Sequence, residues 1–317
     1  HLKLITLAYP HGTLLYRRTS NLWKGDLMTL EPKGIIPAMV TPFTKQDELS
    51  EEGVRKIVNF LINGRVHGIF VSGSQGEFWA LSFEEKRRLF EIAVDETNGR
   101  VPVYGGTGVE TTRECLQLTR MAKDVGVDAV SIITPYFINP NQTELIEHYE
   151  TIANNVDMPI VLYNNPERTG GVKIGPSTLL RLVEKCSNIV GIKDSSGDLT
   201  TTMDYVKMCG DKISVLAGRD TLIYSTLVSG GRGAIAACAN VAPKLVVDIY
   251  ESVMKKDYRK ALESQYKIFP LRSAFALGTF PGVIKEAMEM LGLPSGPCRK
   301  PIVPLAPEKK AELSKIL

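Results

Sequence analysis

The chain has 317 residues, of which 44% are hydrophobic and 23% charged, and a formal net charge of +3. These ordinary globular values exclude a disordered or fibrous chain, and a small net charge without a nucleic-acid-binding motif argues against an RNA or DNA partner. No apolar run approaches the ~20 residues of a membrane span. Five cysteines without a C-x-x-C pair, and four histidines without metal-ligand spacing, argue against a zinc site or disulfide framework and fit a reducing cytoplasm.

In chain order, residues 1–27 begin with His, precede Met28 and read as a leader or tag-like arm, with an ordered N-terminal arm as the other reading. From residue 34 a short β-branched run, a loop and an amphipathic stretch alternate. The strand-like runs are 34–41, 67–73, 101–106, 127–134, 158–164, 189–194, 213–218 and 233–237. Helical spacing covers 50–64, 82–98, 111–125, 142–156, 176–187, 200–209, 219–229 and 242–256. Ser82 with Glu85 three residues later has capping-box spacing. Ser50 precedes a helix with Val54, Ile57, Val58 and Leu61 on one face.

Strands that alternate with helices imply parallel pairing and right-handed crossovers. Eight such units predict an α/β chain folded as a (β/α)8 TIM barrel. An open doubly wound sheet would want a G-x-G-x-x-G turn after its first strand, and "VTPFTKQD" has none. The barrel is assigned to residues 28–240 and a C-terminal helical appendage to 241–317.

Barrel active sites lie at the C-terminal ends of the strands. There the chain carries "GSQGE" (73–77), "TPYF" (134–137), "YNNPERTG" (163–170) and Lys193 at the end of "IVGIKD". An amine at the end of an apolar run has two readings. It is a structural lysine paired with Asp194 or Glu77, or it is a nucleophile that condenses with a ketone to an imine. Tyr163 on the neighbouring strand favours the second, since a proton must be shuttled during that condensation. "GSQGE" offers backbone N–H groups to a carboxylate, or is simply a turn that needs glycine. Arg168 can clamp a carboxylate, or be a solvated loop arginine. Gly230, Gly231 and Gly233 precede the eighth strand, at the wrong end for a phosphate cradle.

These motifs, with "GGTG" (105–108) and "GIKDSSGD" (191–198), resemble the dihydrodipicolinate synthase/N-acetylneuraminate lyase family of class I aldolases over about residues 33–300. The resemblance implies that Lys193 forms the Schiff base with pyruvate or another 2-keto acid, that Tyr163 shuttles protons, and that Ser74 serves in the relay. It implies that Gln75 lies at the 2-keto-acid carboxylate, that Gly218 and Ile235 line the pocket, and that Phe137 is a further substrate contact. Arg168 matches the arginine that holds the carboxylate of aspartate semialdehyde. No metal or dissociable cofactor is implied, only a 2-keto acid and an aldehyde as partners, and a homotetramer built as a dimer of dimers.

Three positions depart from the synthase pattern. Ser74 and Gln75 stand where two threonines are usual, and Phe137 stands where a second tyrosine joins a relay across a dimer interface. "GSQGEFWAL" looks more like 2-keto-3-deoxy sugar acid and 4-hydroxy-2-oxoglutarate aldolases. A non-catalytic 2-keto-acid sensor, with its relay broken at Gln75 and Phe137, is a reading of another class. Phe78, Trp79, Phe83 and Lys86 replace the polar residues of a lysine feedback site, so no inhibition by L-lysine is expected.

Overall fold

The computed structural model describes residues 30–317; the arm assigned to residues 1–27 lies outside the described residues. The strands are Gly34–Pro37 (β1), Ile69–Val71 (β2), Val103–Gly106 (β3), Ala129–Ile133 (β4), Ile160–Asn164 (β5), Ile189–Asp194 (β6), Ser214–Ala217 (β7) and Gly233–Ala236 (β8). They pair in parallel in the order β1-β8-β7-β6-β5-β4-β3-β2. The two ends meet where the Met39 N–H donates to the Phe70 carbonyl and the His67 N–H to the Ile35 carbonyl, each at 2.8 Å. The sheet thereby closes into the expected TIM barrel.

Eight helices form the outer ring: Glu51–Asn63 (α1), Phe83–Thr97 (α2), Thr112–Val125 (α3), Gln142–Asn155 (α4), Pro176–Lys185 (α5), Leu199–Cys209 (α6), Ile223–Val228 (α7) and Pro243–Met254 (α8). Local signals set their starts. Ser82 and Glu85 make both bonds of the capping box on α2, and Ser50 caps α1. Asn141 and Glu144 form a second capping box on α4. The segment read as one helix over 219–229 instead opens with a 3-10 turn, Asp220–Leu222. There the buried Asp220 carboxylate accepts the Cys238 N–H at 2.8 Å, which pins the turn against the end of β8.

β1 is shorter than its apolar run. Beyond Pro37 the Ala38 N–H still bonds the Ala236 carbonyl at 3.0 Å, and Asn240 then takes over, donating to the Ala38 carbonyl at 2.7 Å and accepting the Val40 N–H at 3.0 Å. Inside the barrel Ile36, Phe70, Tyr104, Val161, Leu216 and Ile235 form a plug. Each large side chain so buried contributes about 1.5–3 kcal/mol. A larger apolar layer lies between strands and helices.

One irregularity aims the site. Ile160 pairs with Ile189, but Val161 pairs with Gly191, so Val190 is an extra residue in β6. Ile189 packs in the outer layer and Val190 against the inner plug. Strict alternation from Ile189 would put Lys193 outside; the bulge turns it into the barrel.

The ring takes in α8, past the boundary set at residue 240, and beyond it Tyr258–Ser273 (α9), Gly282–Met290 (α10) and Pro307–Ser314 (α11) form the appendage. It is tied to the barrel mouth by a buried ion pair. Lys285 Nζ donates to Glu77 Oε1 at 2.8 Å and also to the Thr41 and Pro297 carbonyls. Glu77 Oε2 accepts the Arg299 N–H at 2.9 Å. No helix of the described residues is long and apolar enough to cross a membrane.

Candidate active site

Tyr163 and Lys193 are register partners on β5 and β6. Both point inward at the C-terminal end of the barrel and are at most 5% exposed. The Lys193 Nζ lies 4.0 Å from the centre of the Tyr163 ring and 5.3 Å from that of Phe70. Lys193 forms no ion pair among the described residues. Its two conceivable carboxylates are engaged elsewhere: Asp194 faces outward and accepts from Asn164, Ser196 and Thr202, and Glu77 is held by Lys285 and Arg299.

The amine opens on a cleft of about 380 Å³. Ser74, Gln75, Arg168, Gly218 and Ile235 line it together with Tyr163 and Lys193. Gly218 leaves no room for a side chain, because a Cβ there would stand 2.8 Å from the Asp194 backbone carbonyl oxygen as well as 2.0 Å from the Ser195 hydroxyl. In the turn after β2, the Gly76, Glu77 and Phe78 N–H groups close onto the Gly73 and Ser74 carbonyls. The Ser74 and Gln75 N–H groups have no partner among the described residues, which leaves two donors for a carboxylate. The Gln75 side chain is turned away, its Nε2 donating to the Pro281 carbonyl at 3.4 Å.

Phe137 is the one assigned substrate contact that the structure does not bring to this cleft. Its backbone is left-handed, with φ of 69°, and its side chain is 94% exposed. The turn after β4 sends it outward, while its neighbour Tyr136 packs edge-on against Phe78 at 5.6 Å.

The electrostatics centre on Tyr163. Burial pushes its phenol up, but the Lys193 charge and the neighbouring Ser74, Ser195 and Asn165 side chains outweigh this and hold it below its ordinary value. The Asn165 bond is well formed: Nδ2 donates to Tyr163 Oη at 2.8 Å. Ser74 acts on the phenol by proximity, since its hydroxyl has no partner of good geometry.

Several cleft residues are not evident from sequence patterns. Asn165 and Ser195 flank the two central residues and fall within motifs already singled out. Arg272, Phe275 and Phe280 come from α9 and the segments that follow it, so the appendage forms one wall. The Arg168 guanidinium stacks 4.6 Å from the Phe280 ring centre and that of Arg272 4.5 Å from Phe275. Neither arginine has an ion-pair partner among the described residues, whereas Arg219 is bound to Glu167. The cleft therefore presents two stacked, unpaired guanidinium groups to whatever enters it. Among the described residues no cluster of His, Cys, Asp or Glu could hold a metal ion.

Comparison with known proteins is consistent with this arrangement. The model of the dihydrodipicolinate synthetase family matches residues 31–317. The chain is 42% identical over 276 residues to the 4-hydroxy-tetrahydrodipicolinate synthase of Methanopyrus kandleri, covering 87% of this chain and 92% of that one. It is 39% identical to the synthase of the same name from Methanocaldococcus jannaschii, covering 90% and 97%. Among solved structures, dihydrodipicolinate synthase from Aquifex aeolicus superposes with a TM-score of 0.87 at 35% identity, over 90% of this chain and 97% of that one. A prophage protein of the dihydrodipicolinic acid synthase family from E. coli K12, solved in complex with pyruvate, does so with a TM-score of 0.87 at 33% identity, over 90% and 97%.

Proposed function

Because the chain belongs to the dihydrodipicolinate synthetase family, we propose that it is a Schiff-base lyase that joins pyruvate to aspartate semialdehyde, as a 4-hydroxy-tetrahydrodipicolinate synthase. The observation that carries this reading is the Lys193 amine, free of any carboxylate, beside Tyr163 at the foot of the cleft.

The steps follow from the geometry. The Lys193 nitrogen adds to the keto carbon of pyruvate while the pyruvate carboxylate takes the Ser74 and Gln75 N–H groups. The uncharged amine passes one proton to the former carbonyl oxygen and Tyr163 donates the second, so the oxygen leaves as water and an iminium remains. The phenolate, favoured by the Asn165 bond and the adjacent positive charge, then removes a proton from the methyl carbon to give the enamine. The enamine carbon attacks the aldehyde carbon, which restores the iminium, and Tyr163 returns the proton to the new alkoxide; addition of the semialdehyde's own amine to the iminium carbon then breaks the bond to Lys193 and frees the cyclic product. Arg168 and Arg272 hold the anionic end of the aldehyde. The lysine imine is the only electron sink required, so neither a metal nor a dissociable cofactor enters the scheme.

Phe137 favours a second reading, because it has no proton to pass where a synthase carries tyrosine. On that reading the enzyme is a 2-keto-3-deoxy sugar acid or 4-hydroxy-2-oxoglutarate aldolase using the same imine. We place the protein in the cytoplasm as a homotetramer, a dimer of dimers. Trp79, Phe83, Phe137 and Ile138 support self-association, being 43%, 43%, 94% and 51% exposed around the tips of β2 and β4.

Borohydride reduction with pyruvate, followed by peptide mass mapping, tests the imine: the pyruvyl adduct is expected on Lys193, and its absence would overturn the mechanism. Turnover with aspartate semialdehyde, glyoxylate and glyceraldehyde then separates the two enzymes.

A further inference from the structure

A second, much smaller cavity of about 10 Å³ lies against Tyr163, between the tips of β2, β3 and β4. Ser72, Ser74 and Ser131 share its wall with Tyr163, and Phe70 and Ile133 supply apolar surface. The Ser72 and Ser131 side chains are 1% and 2% exposed. The hydroxyl oxygens of all three serines are buried and without a hydrogen-bond partner. A buried hydroxyl left without a partner is costly, so three around one void would weigh heavily against the small net stability of a folded domain. A void must offer roughly 10–15 Å³ and two to four polar groups to hold one water molecule. This one meets both conditions.

We propose that the cavity is a binding site for a single structural water, held by Ser72, Ser74 and Ser131, and that this water positions the Ser74 hydroxyl against Tyr163. A serine hydroxyl has one proton to donate and two lone pairs. A water that donates to Ser74 Oγ occupies a lone pair and leaves the Ser74 proton for the phenol oxygen. The same water donates to one of the other two serines and accepts from the remaining one, so all three hydroxyls are satisfied. Ser72 and Ser131 are thus positioning residues that act through the water and Ser74. The positioning role rests on the lyase reading above; the water site does not.

The test uses Ser131→Ala and the double variant Ser72→Ala/Ser131→Ala. A crystal structure of the wild-type protein is expected to show one ordered solvent peak touching the three serines, absent from the double variant. The double variant is expected to unfold at lower temperature than wild type, because bonds to the water are lost. A dry cavity predicts the reverse, a higher midpoint, since two orphaned hydroxyls have been deleted. That rise, or no solvent peak in the wild type, would overturn the site even if the protein turned over no aldehyde at all.

For the positioning role, kcat should fall roughly 3- to 10-fold, with KM for pyruvate unchanged and the alkaline limb of the pH profile moved upward. The charged group acting on Tyr163 is Lys193 on β6, and Glu167, Arg168, Arg219, Asp220 and Arg272 line the same cleft. Neither variant alters them. An unmoved limb beside a confirmed water would refute the positioning role alone.

Discussion

Tyr163 and Lys193 sit on the same rung of two adjacent parallel strands, with the lysine Nζ 4.0 Å from the centre of the tyrosine ring. The cation and the phenol therefore act on each other without an intervening carboxylate. Lys193→Ala should abolish the borohydride-trapped pyruvate adduct. Tyr163→Phe should still form it, but slowly, with kcat lowered by about 10²–10⁴-fold, the range of a lost general acid–base group. An adduct that survives Lys193→Ala would assign the imine to another amine.

The same pair sets a pH dependence. Tyr163 must carry its proton to release the departing oxygen, so raising the pH removes the active form. Its phenol is held below its ordinary value, so the alkaline fall in kcat/KM should begin below the ~10 of a free tyrosine. Asn165→Ala deletes a bond donated to the phenol oxygen and should move that fall to higher pH. A limb that moves down in this variant would contradict the assignment.

Much of the fold is legible in the sequence for a physical reason. Strands buried on both faces must be apolar throughout, and their helices must be amphipathic, so the alternation is strong at every unit. The site is legible where chemistry is concentrated at strand tips: Ser74, Gln75, Tyr163, Arg168, Lys193, Gly218 and Ile235 do meet in one cleft. The inward aim of Lys193 is not legible. A two-residue period from Ile189 puts the lysine outside, and only the register shows the extra residue at Val190. Nor is the wall formed by Arg272, Phe275 and Phe280, because no local pattern says where a C-terminal helix will lie. Phe137 shows the limit of a motif. Its place in "TPYF" suggests the pocket, yet a left-handed backbone at that residue turns it to solvent.

The Lys285–Glu77 pair should matter to stability. Its side chains are 2% and 0% exposed, and Glu77 belongs to the turn that carries Ser74 and Gln75. Lys285→Met strands a buried carboxylate and should cost about 3–5 kcal/mol. The double variant Lys285→Met/Glu77→Gln should recover part of that loss. Urea unfolding of the three proteins measures the difference, and a single variant as stable as wild type would show that the pair is dispensable.

His148 predicts a loss of stability in acid. Burial lowers its imidazole to about 4, and its Nδ1 is bonded to the Thr112 hydroxyl at 2.9 Å. Between that value and the unfolded value of ~6.5, the unfolded chain binds a proton that the native chain refuses. Stability should therefore fall as the pH drops from ~6.5 and level off near 4, by roughly 3 kcal/mol in all. His148→Gln should flatten this part of the urea midpoint–pH curve. An unchanged slope would assign it to other groups.

L-Lysine should not inhibit. A feedback site needs polar and acidic groups for an ammonium and a carboxylate. Here Trp79 and Phe83 present apolar surface, each 43% exposed, and Lys86 is buried, with Nζ 6.0 Å from the Phe78 ring centre, where burial lowers its pKa. Initial rates in millimolar L-lysine should match those without it, and a saturable decrease would refute this.

The two unpaired arginines should divide the substrates between them and the lysine. Arg168 and Arg272 are stacked on Phe280 and Phe275, so their guanidinium planes are held in place before any ligand arrives and lose little freedom on binding it. A charge-assisted hydrogen bond contributes about 1.5–3 kcal/mol. Arg168→Ala and Arg272→Ala should each lower kcat/KM for aspartate semialdehyde by roughly 10- to 100-fold. The rate of the pyruvate adduct should stay unchanged, because that step is completed at Lys193 before the aldehyde enters. Turnover of neutral glyceraldehyde, which has no anion to hold, should be nearly indifferent to both substitutions. If glyceraldehyde turnover falls as steeply as that of the semialdehyde, the arginines shape the wall rather than read charge. If Arg272→Ala alone is without effect on either aldehyde, then Arg168 recognises the anion unaided.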